Sequence, residues 1–313
     1  MVMDDREKER FRQLMRRAAR FSGVNVLTYA VLDNHFHILL HLPESRPVDD
    51  RELVRRLAAL YGLWFAQEVG RQLAALRQDG QDEVAERLRQ PYLERMHDLS
   101  AFMKTLKQRF TQSFNQRHER KGTLWEERFR SILVEGSEGA LAAIAAYIDL
   151  NAVRAGIVND PGRYRFSGYG EALGGSREAR RGLGAVIRSP GGEACWSEVH
   201  AAYRRMLYVT GRQKGVAEDG KAVRPGFSRE QVQMVLDQGG ELTLDQALHC
   251  RVRYFSDGLV LGSRAYVDDV LVRYRDRFSH KRQSGARPTR GIDGLDLFVA
   301  RRLQLNVISL PCG

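Results

Sequence analysis

The stretch VNVLTYAVLDNHFHILLHL, residues 24–42, decides the fold. Two apolar runs, residues 24–31 and 35–42, flank the short link Leu32-Asp33-Asn34, and the Asp-Asn pair suits a tight turn. The spacing predicts a β-hairpin whose second strand is stopped by Pro43. Along a strand, side chains at i and i+2 point to the same side. His35 and His37 therefore share a face while Phe36 takes the other, and His41 continues the alternation.

Working outward, Phe11, Leu14, Met15, Ala18 and Phe21 recur at helical spacing, which predicts an amphipathic helix over 4–21 ended by Gly23. Downstream, Leu53, Val54, Leu57, Leu60, Tyr61, Trp64 and Phe65 mark a second helix, and the polar, Arg-rich residues 70–95 read as a helical insertion. A third helix carries Leu99, Phe102, Met103, Leu106, Phe110 and Phe114 on one face. Residues 128–134 form a short strand candidate, and a fourth helix runs from Ser137 as N-cap to Gly156 as its C′ residue. This order predicts an α+β domain over 1–172, an antiparallel sheet with helices on its faces. Residues 173–227 read as a Gly-rich connector with a short helical segment at 196–207. Residues 228–313 read as a mainly helical accessory region. Its helix starts fall at Ser228, Thr243 and Ser263, the first two with capping-box glutamines at Gln231 and Gln246. The run HKRQSGARPTRG, residues 280–291, suits either a helix-turn-helix with a basic arm that touches DNA or the tail of a small packing bundle.

Composition narrows the function. The 313 residues are 43% hydrophobic and 28% charged, which is globular rather than disordered. Fifty Lys+Arg against 39 Asp+Glu leave +11, a balance that favours a polyanionic partner. Cys195, Cys250 and Cys312 are too dispersed for a disulfide framework or a CxxC metal knuckle. No apolar run approaches the ~18 residues of a membrane span, and the charged start MVMDDREKERFRQ has no secretory apolar segment. The expected place of work is the cytoplasm.

Two words carry chemistry. The His35-Phe36-His37 pair can offer two imidazoles to one metal ion, leaving positions for an oxygen ligand and a phosphate. In AAYIDLNAVRAGIV, Tyr147 and Asn151 are four apart and so share a helix face. Each alone is commonplace: two polar histidines on a sheet, a tyrosine one turn from an asparagine. The words DNHFHILLHLP, FMKTLKQRFTQSFN, GTLWEERFRS, YIDLNAVRAGIV and PGRYRFSGYG follow one another in this order. The series resembles the single-tyrosine HUH transposases, in particular the REP-associated group, over about residues 5–172.

The resemblance implies a ferredoxin-like HUH core, with His35 and His37 as the pair that binds Mg²⁺ or Mn²⁺. It implies Tyr147 as the nucleophile and Asn151 as the residue completing the metal site. The implied activity is cleavage and rejoining of single-stranded or hairpin DNA through a 5′-phosphotyrosine. Lys107, Arg109, Lys121, Arg128, Arg130, Arg154 and Arg163 surround these words, with Trp125 and Phe129 among them, as expected for strand binding by cations and aromatic platforms. A homodimer is one option, the tyrosine acting within its own protomer or across the pair. The resemblance also implies an opening strand before the first helix, whereas this sequence begins almost at that helix, from a start placed too late or a truncated copy; a missing strand would expose a sheet edge. Where the family has Asn-Pro, this sequence has Asn151-Ala152. Two other classes stay open: a catalytically silent hairpin-binding protein of the same descent, and an unrelated metal hydrolase.

Overall fold

A computed structural model of the chain describes residues 3–187, 195–210, 214–216, 222–224, 258–275, 285–289 and 297–301. The chain is a mixed α+β protein that divides into two compact units, Met1–Phe129 and Arg130–Gly313. The first holds α1 (Asp5–Ser22), β1 (Asn25–Val31), β2 (Phe36–His41), α2 (Asp50–Tyr61), α3 (Leu63–Gln78), α4 (Asp82–Leu93) and α5 (Leu99–Arg117).

The hairpin forms as the sequence predicts. β1 and β2 are antiparallel, Ala30 faces His37 and Val31 faces Phe36, with a bulge between Val26 and Thr28. The turn is closed by Leu32 N–H on the His35 carbonyl at 2.8 Å. α1 is capped by the Asp4 side chain on Glu7 N–H and ended by Gly23 in the left-handed region. Two observations favour glycine there. Its φ is +69°, and an added Cβ would lie 2.5 Å from Arg56 Nη1 and 2.9 Å from His97 Cε1.

α1 packs on α2, α5 and β1. Phe11 is fully buried, 4.6 Å from the Phe36 ring and 5.3 Å from Phe110, and the core continues through Met15, Tyr29, Leu53, Leu57, Phe102 and Leu106. Buried Glu7 accepts hydrogen bonds from Arg117 Nε at 3.1 Å and Nη2, and lies 3.1 Å from His118 Nε2, which fastens the start of α1 to the end of α5.

The expected second helix is broken into two at Gly62, whose φ of +95° ends α2. The insertion is helical as expected, made of α3 and α4.

The second unit holds β3 (Leu133–Val134), α6 (Glu138–Asp149), α7 (Asn151–Arg154), a 3-10 turn (Pro161–Arg163), α8 (Gly168–Leu173), α9 (Arg177–Ile187) and α10 (Trp196–Thr210). It continues with β4 (Lys214–Val216), β5 (Ala222–Arg224), β6 (Gly258–Gly262), α11 (Arg264–Arg273), β7 (Arg287–Pro288) and β8 (Phe298–Arg301). Three differences from the sequence reading stand out. The strand expected over 128–134 shrinks to β3, and it pairs in parallel with β6 in a sheet ordered β3-β6-β8-β7 rather than with the hairpin. Among the described residues β1 and β2 pair only with each other. The reason lies at long range: Glu135, just past β3, accepts from Ser263 N–H at 2.7 Å and Ser263 Oγ at 2.9 Å, which fixes β3 beside β6.

Second, α9 falls in the supposed connector, because its glycines read as loop. Buried Ala179, Gly182, Leu183 and Val186 nevertheless form one packing stripe. α10 matches the helical segment expected at 196–207. Third, the described part of 228–313 is a sheet of β6, β8 and β7 with α11 packed on it through Val260, Val267, Val270, Leu271 and Ala300. Among the described residues of this region α11 is the one helix beside those strands. Arg287 and Pro288 of the expected basic arm form β7. α11 has Ser263 as N-cap, as expected, whereas the helix starts at Ser228 and Thr243 lie outside the described residues. No helix among the described residues is long and apolar enough to cross a membrane.

His97 joins several elements of the first unit. It adopts φ +55°, its N–H donates to the Ser22 carbonyl at 2.7 Å, and Arg56 Nη1 lies 3.4 Å from its Nε2. Burial and then the neighbouring Arg56 charge lower its pKa from 6.5, while the Pro43 backbone pulls weakly the other way. The folded form thus resists a proton that the unfolded chain accepts. Its contribution is whole above pH 6.5 and is lost as the pH falls below that value. His97→Asn, which tolerates the positive φ, should flatten the decline in melting temperature between about pH 7.5 and pH 5.5. An equally steep decline in the variant, followed by circular dichroism, would assign the acid sensitivity elsewhere.

Candidate functional site

The histidine pair belongs to the first unit. β2 holds its alternation: Phe36 packs inward on Phe11 and on Trp125, 5.6 Å away, while His35 and His37 lie on the opposite side with ring centroids 5.1 Å apart. Two imidazoles sharing one ion stand roughly 4.5–5.2 Å apart, given a metal–nitrogen bond of about 2.1 Å, so the spacing fits. Asn34 Oδ1 lies 2.7 Å from His35 Nδ1. A carbonyl oxygen can only accept, so Nδ1 carries the proton and the lone pair stays on Nε2. Desolvation lowers the His35 pKa from its ordinary value, which favours the neutral imidazole. His41, by contrast, is exposed and turned to Asn25 Nδ2 at 3.3 Å. Among the described residues no three His, Cys, Asp or Glu side chains form a metal group. The pair therefore suits an ion that takes its other ligands from an amide oxygen, water or phosphate.

The tyrosine word belongs to the second unit, where the expected single helix is interrupted. α6 ends at Asp149 and α7 starts at Asn151, with Leu150 at φ −81°, ψ −3° between them. Ser137 precedes α6 but donates its hydroxyl to Glu135 at 3.0 Å and does not cap the helix. Gly156 takes the left-handed conformation expected after the last turn. Tyr147 and Asn151 do come together. Asn151 Nδ2 donates to the Tyr147 carbonyl at 2.9 Å and the Ile148 carbonyl at 3.3 Å, which turns its Oδ1 away from the helix. Arg154 donates from Nη1 to the Tyr147 carbonyl at 2.8 Å and lays its guanidinium 4.7 Å from the centre of the half-buried phenol ring.

The other expected DNA-binding residues divide by what they touch. Lys121, Arg128, Arg130 and Arg163 are exposed. Lys107 lies 5.1 Å from the Trp125 ring and donates to the Glu127 carbonyl at 3.0 Å, and burial lowers its pKa. Trp125 itself donates to Thr111 Oγ1 at 2.9 Å and packs on Phe36 and Phe110, so its ring is a half-buried packing element more than an open platform. Phe129 is half-buried. Arg109 sits over Tyr61 at 4.7 Å.

Asp149 is the residue the sequence reading passed over. It is fully buried, two positions from both Tyr147 and Asn151. Its carboxylate accepts the Tyr169 N–H at 3.2 Å and the Tyr203 hydroxyl, tying α6 to α8 and α10. Tyr169 continues the chain to His200 Nε2 at 3.1 Å, and Arg204 meets Asp160 at 3.3 Å. The signal was available: an acidic residue set in the buried stripe Ala145, Ile148, Ala152.

No family model, curated protein or solved structure matches the chain.

Asp149→Ala should cost about 3 kcal/mol, since it strands a buried hydroxyl and a buried amide. Urea unfolding measures this; a loss under about 1 kcal/mol would show that the Asp149 contacts contribute little.

Proposed function

We propose that the chain is a metal-dependent single-stranded DNA strand transferase of the HUH type, with Tyr147 as nucleophile. The observation that supports this reading best is the pair of imidazoles, His35 and His37, on one side of the hairpin strand with ring centroids 5.1 Å apart, a spacing that one ion can bridge. The tyrosine turn supplies the complementary chemistry. Asn151 Oδ1 is a hard oxygen ligand, and Arg154 sets a fixed positive charge beside the phenol that suits a phosphate.

On this reading His35, His37 and Asn151 would hold Mg²⁺ or Mn²⁺, which would supply charge neutralisation at the scissile phosphate. The Tyr147 oxygen attacks phosphorus, the bond to the 3′ oxygen breaks, and the phenolic proton ends on that 3′ hydroxyl. The product is a 5′-phosphotyrosine, reversed when a 3′ hydroxyl attacks in turn. Asp149, through α8 and α10, holds the helix that presents Tyr147. The partner is single-stranded or hairpin DNA in the cytoplasm, and a second copy is needed only if the tyrosine acts across protomers.

Two measurements test the reading. Incubation with a labelled hairpin oligonucleotide and Mg²⁺, followed by a denaturing gel, should give a covalent adduct that Tyr147→Phe abolishes. An undiminished adduct in that variant would remove Tyr147 from the mechanism, and hairpin binding with no adduct in wild type would point to the silent binding protein instead. Separately, calorimetry with Mn²⁺ should show at least about tenfold weaker binding in His37→Ala, as expected for loss of a ligand. Equal binding would rule out the histidine site.

A further inference from the structure

The corner between α2 and α3 carries a feature that the proposed chemistry does not use. α2 stops at Tyr61, Gly62 turns the chain, and α3 opens with Leu63 and Trp64, which are 66% and 75% exposed. An indole left that open is unusual for so large an apolar group. Next to it in the chain, Tyr61 and Phe65 join Tyr92 in a half-buried aromatic cluster, with Tyr61 4.9 Å from Phe65 and 6.4 Å from Tyr92.

Three arginines surround this cluster. Arg109 lies 4.7 Å from the Tyr61 ring centre and donates to the Leu60 carbonyl at 3.3 Å. Arg95 donates to the Tyr61 hydroxyl at 2.5 Å and to Thr105 Oγ1 at 3.1 Å. Arg17, exposed on α1, donates to the Ala59 and Leu60 carbonyls at 2.9 and 3.1 Å. Their partners are carbonyls, hydroxyls and rings, and among the described residues none of the three is ion-paired with a carboxylate. The arginines of α2, α3 and α4 differ. Arg55, Arg56, Arg71, Arg77 and Arg89 each meet an acidic side chain. Positive charge is therefore left uncompensated at the corner that also exposes the indole.

We propose that the Leu63–Trp64 corner is a docking surface for single-stranded DNA, with a base stacked on Trp64 and the adjoining phosphates met by Arg17, Arg95 and Arg109. This rests on the reading that the ligand is single-stranded DNA, and adds a contact outside the residues that would carry the chemistry. Flat bases match the exposed indole, and phosphates match guanidiniums that no carboxylate neutralises, which is the pairing that strand-binding grooves use. A second copy of the chain is the poorer occupant, because a two-fold contact sets this patch against itself and brings Arg17 toward its own copy.

The test uses the full chain and an oligothymidine of about fifteen nucleotides, a probe without hairpin structure, long enough to fill a strand-binding site. The three tryptophans give the signal, and Trp64→Phe identifies the part due to Trp64. Binding should quench the Trp64 emission, and Trp64→Ala should weaken affinity about tenfold, the effect of losing one stacked base. Arg17→Gln should lower the slope of log affinity against log salt by about 0.7. Unchanged affinity in Trp64→Ala, with wild type still binding, overturns the corner but leaves the single-strand reading intact. Failure of wild type to bind any unpaired DNA overturns both. Sedimentation showing a dimer that Trp64→Ala dissolves makes the corner a subunit interface and overturns it also.

Discussion

The alternation of β2 is the constraint on which the candidate site depends. A strand cannot turn Phe36 inward without turning its two neighbours outward. Phe36 is held by Phe11, and the Trp125 ring closes over it beside Phe110. Each ring buries apolar area that no shifted register would recover, because a one-residue slip would put an imidazole into that cluster. The pairing of Val31 with Phe36 and Ala30 with His37 fixes the same register from the strand side. The shared face of His35 and His37 is thus enforced from the opposite face of the strand, by packing.

The basic excess divides in a way that composition conceals. Much of it holds the structure together: Arg117 closes on buried Glu7, Arg89 and Arg77 share Asp50, and Arg56 supports the contact with His97. Buried or half-buried pairs of this kind are costly to break, since either partner alone would keep an uncompensated charge. A polyanion is attracted by the arginines left over after those pairings, so the location of unpaired charge says more than the total of +11. Arg17, Arg95 and Arg109 around Tyr61 are such a remainder.

The interrupted helix shows how a buried carboxylate organises a site at a distance. The sequence AAYIDLNAV continues a helical pattern without a break, yet α6 ends at Asp149 and α7 begins at Asn151. Asp149 accepts from Tyr169 and Tyr203, groups 20 and 54 residues away, and those partners anchor the end of α6. Asn151 then bonds the carbonyls of Tyr147 and Ile148 across the break, keeping the tyrosine and the amide on one side of the same short segment.

What the sequence by itself determined were the features set by near neighbours. Period-two alternation and the Asp33-Asn34 turn gave the hairpin, while helical spacing and capping residues gave α1, α5 and α11. The spacing of His35 with His37 and of Tyr147 with Asn151 was legible for the same reason, since strand and helix periods fix which side chains share a face. Only the tertiary structure decided the partners that no local pattern contains. It paired β3 with β6, bound Asp149 to Tyr203, and packed Trp125 over Phe36 where the sequence suggested an open stacking platform. It also folded α9 from a Gly-rich stretch, where buried Ala179, Gly182, Leu183 and Val186 line one packing face. Strand pairing and burial are settled by contacts between residues far apart in the chain, and those become definite only once the whole unit packs.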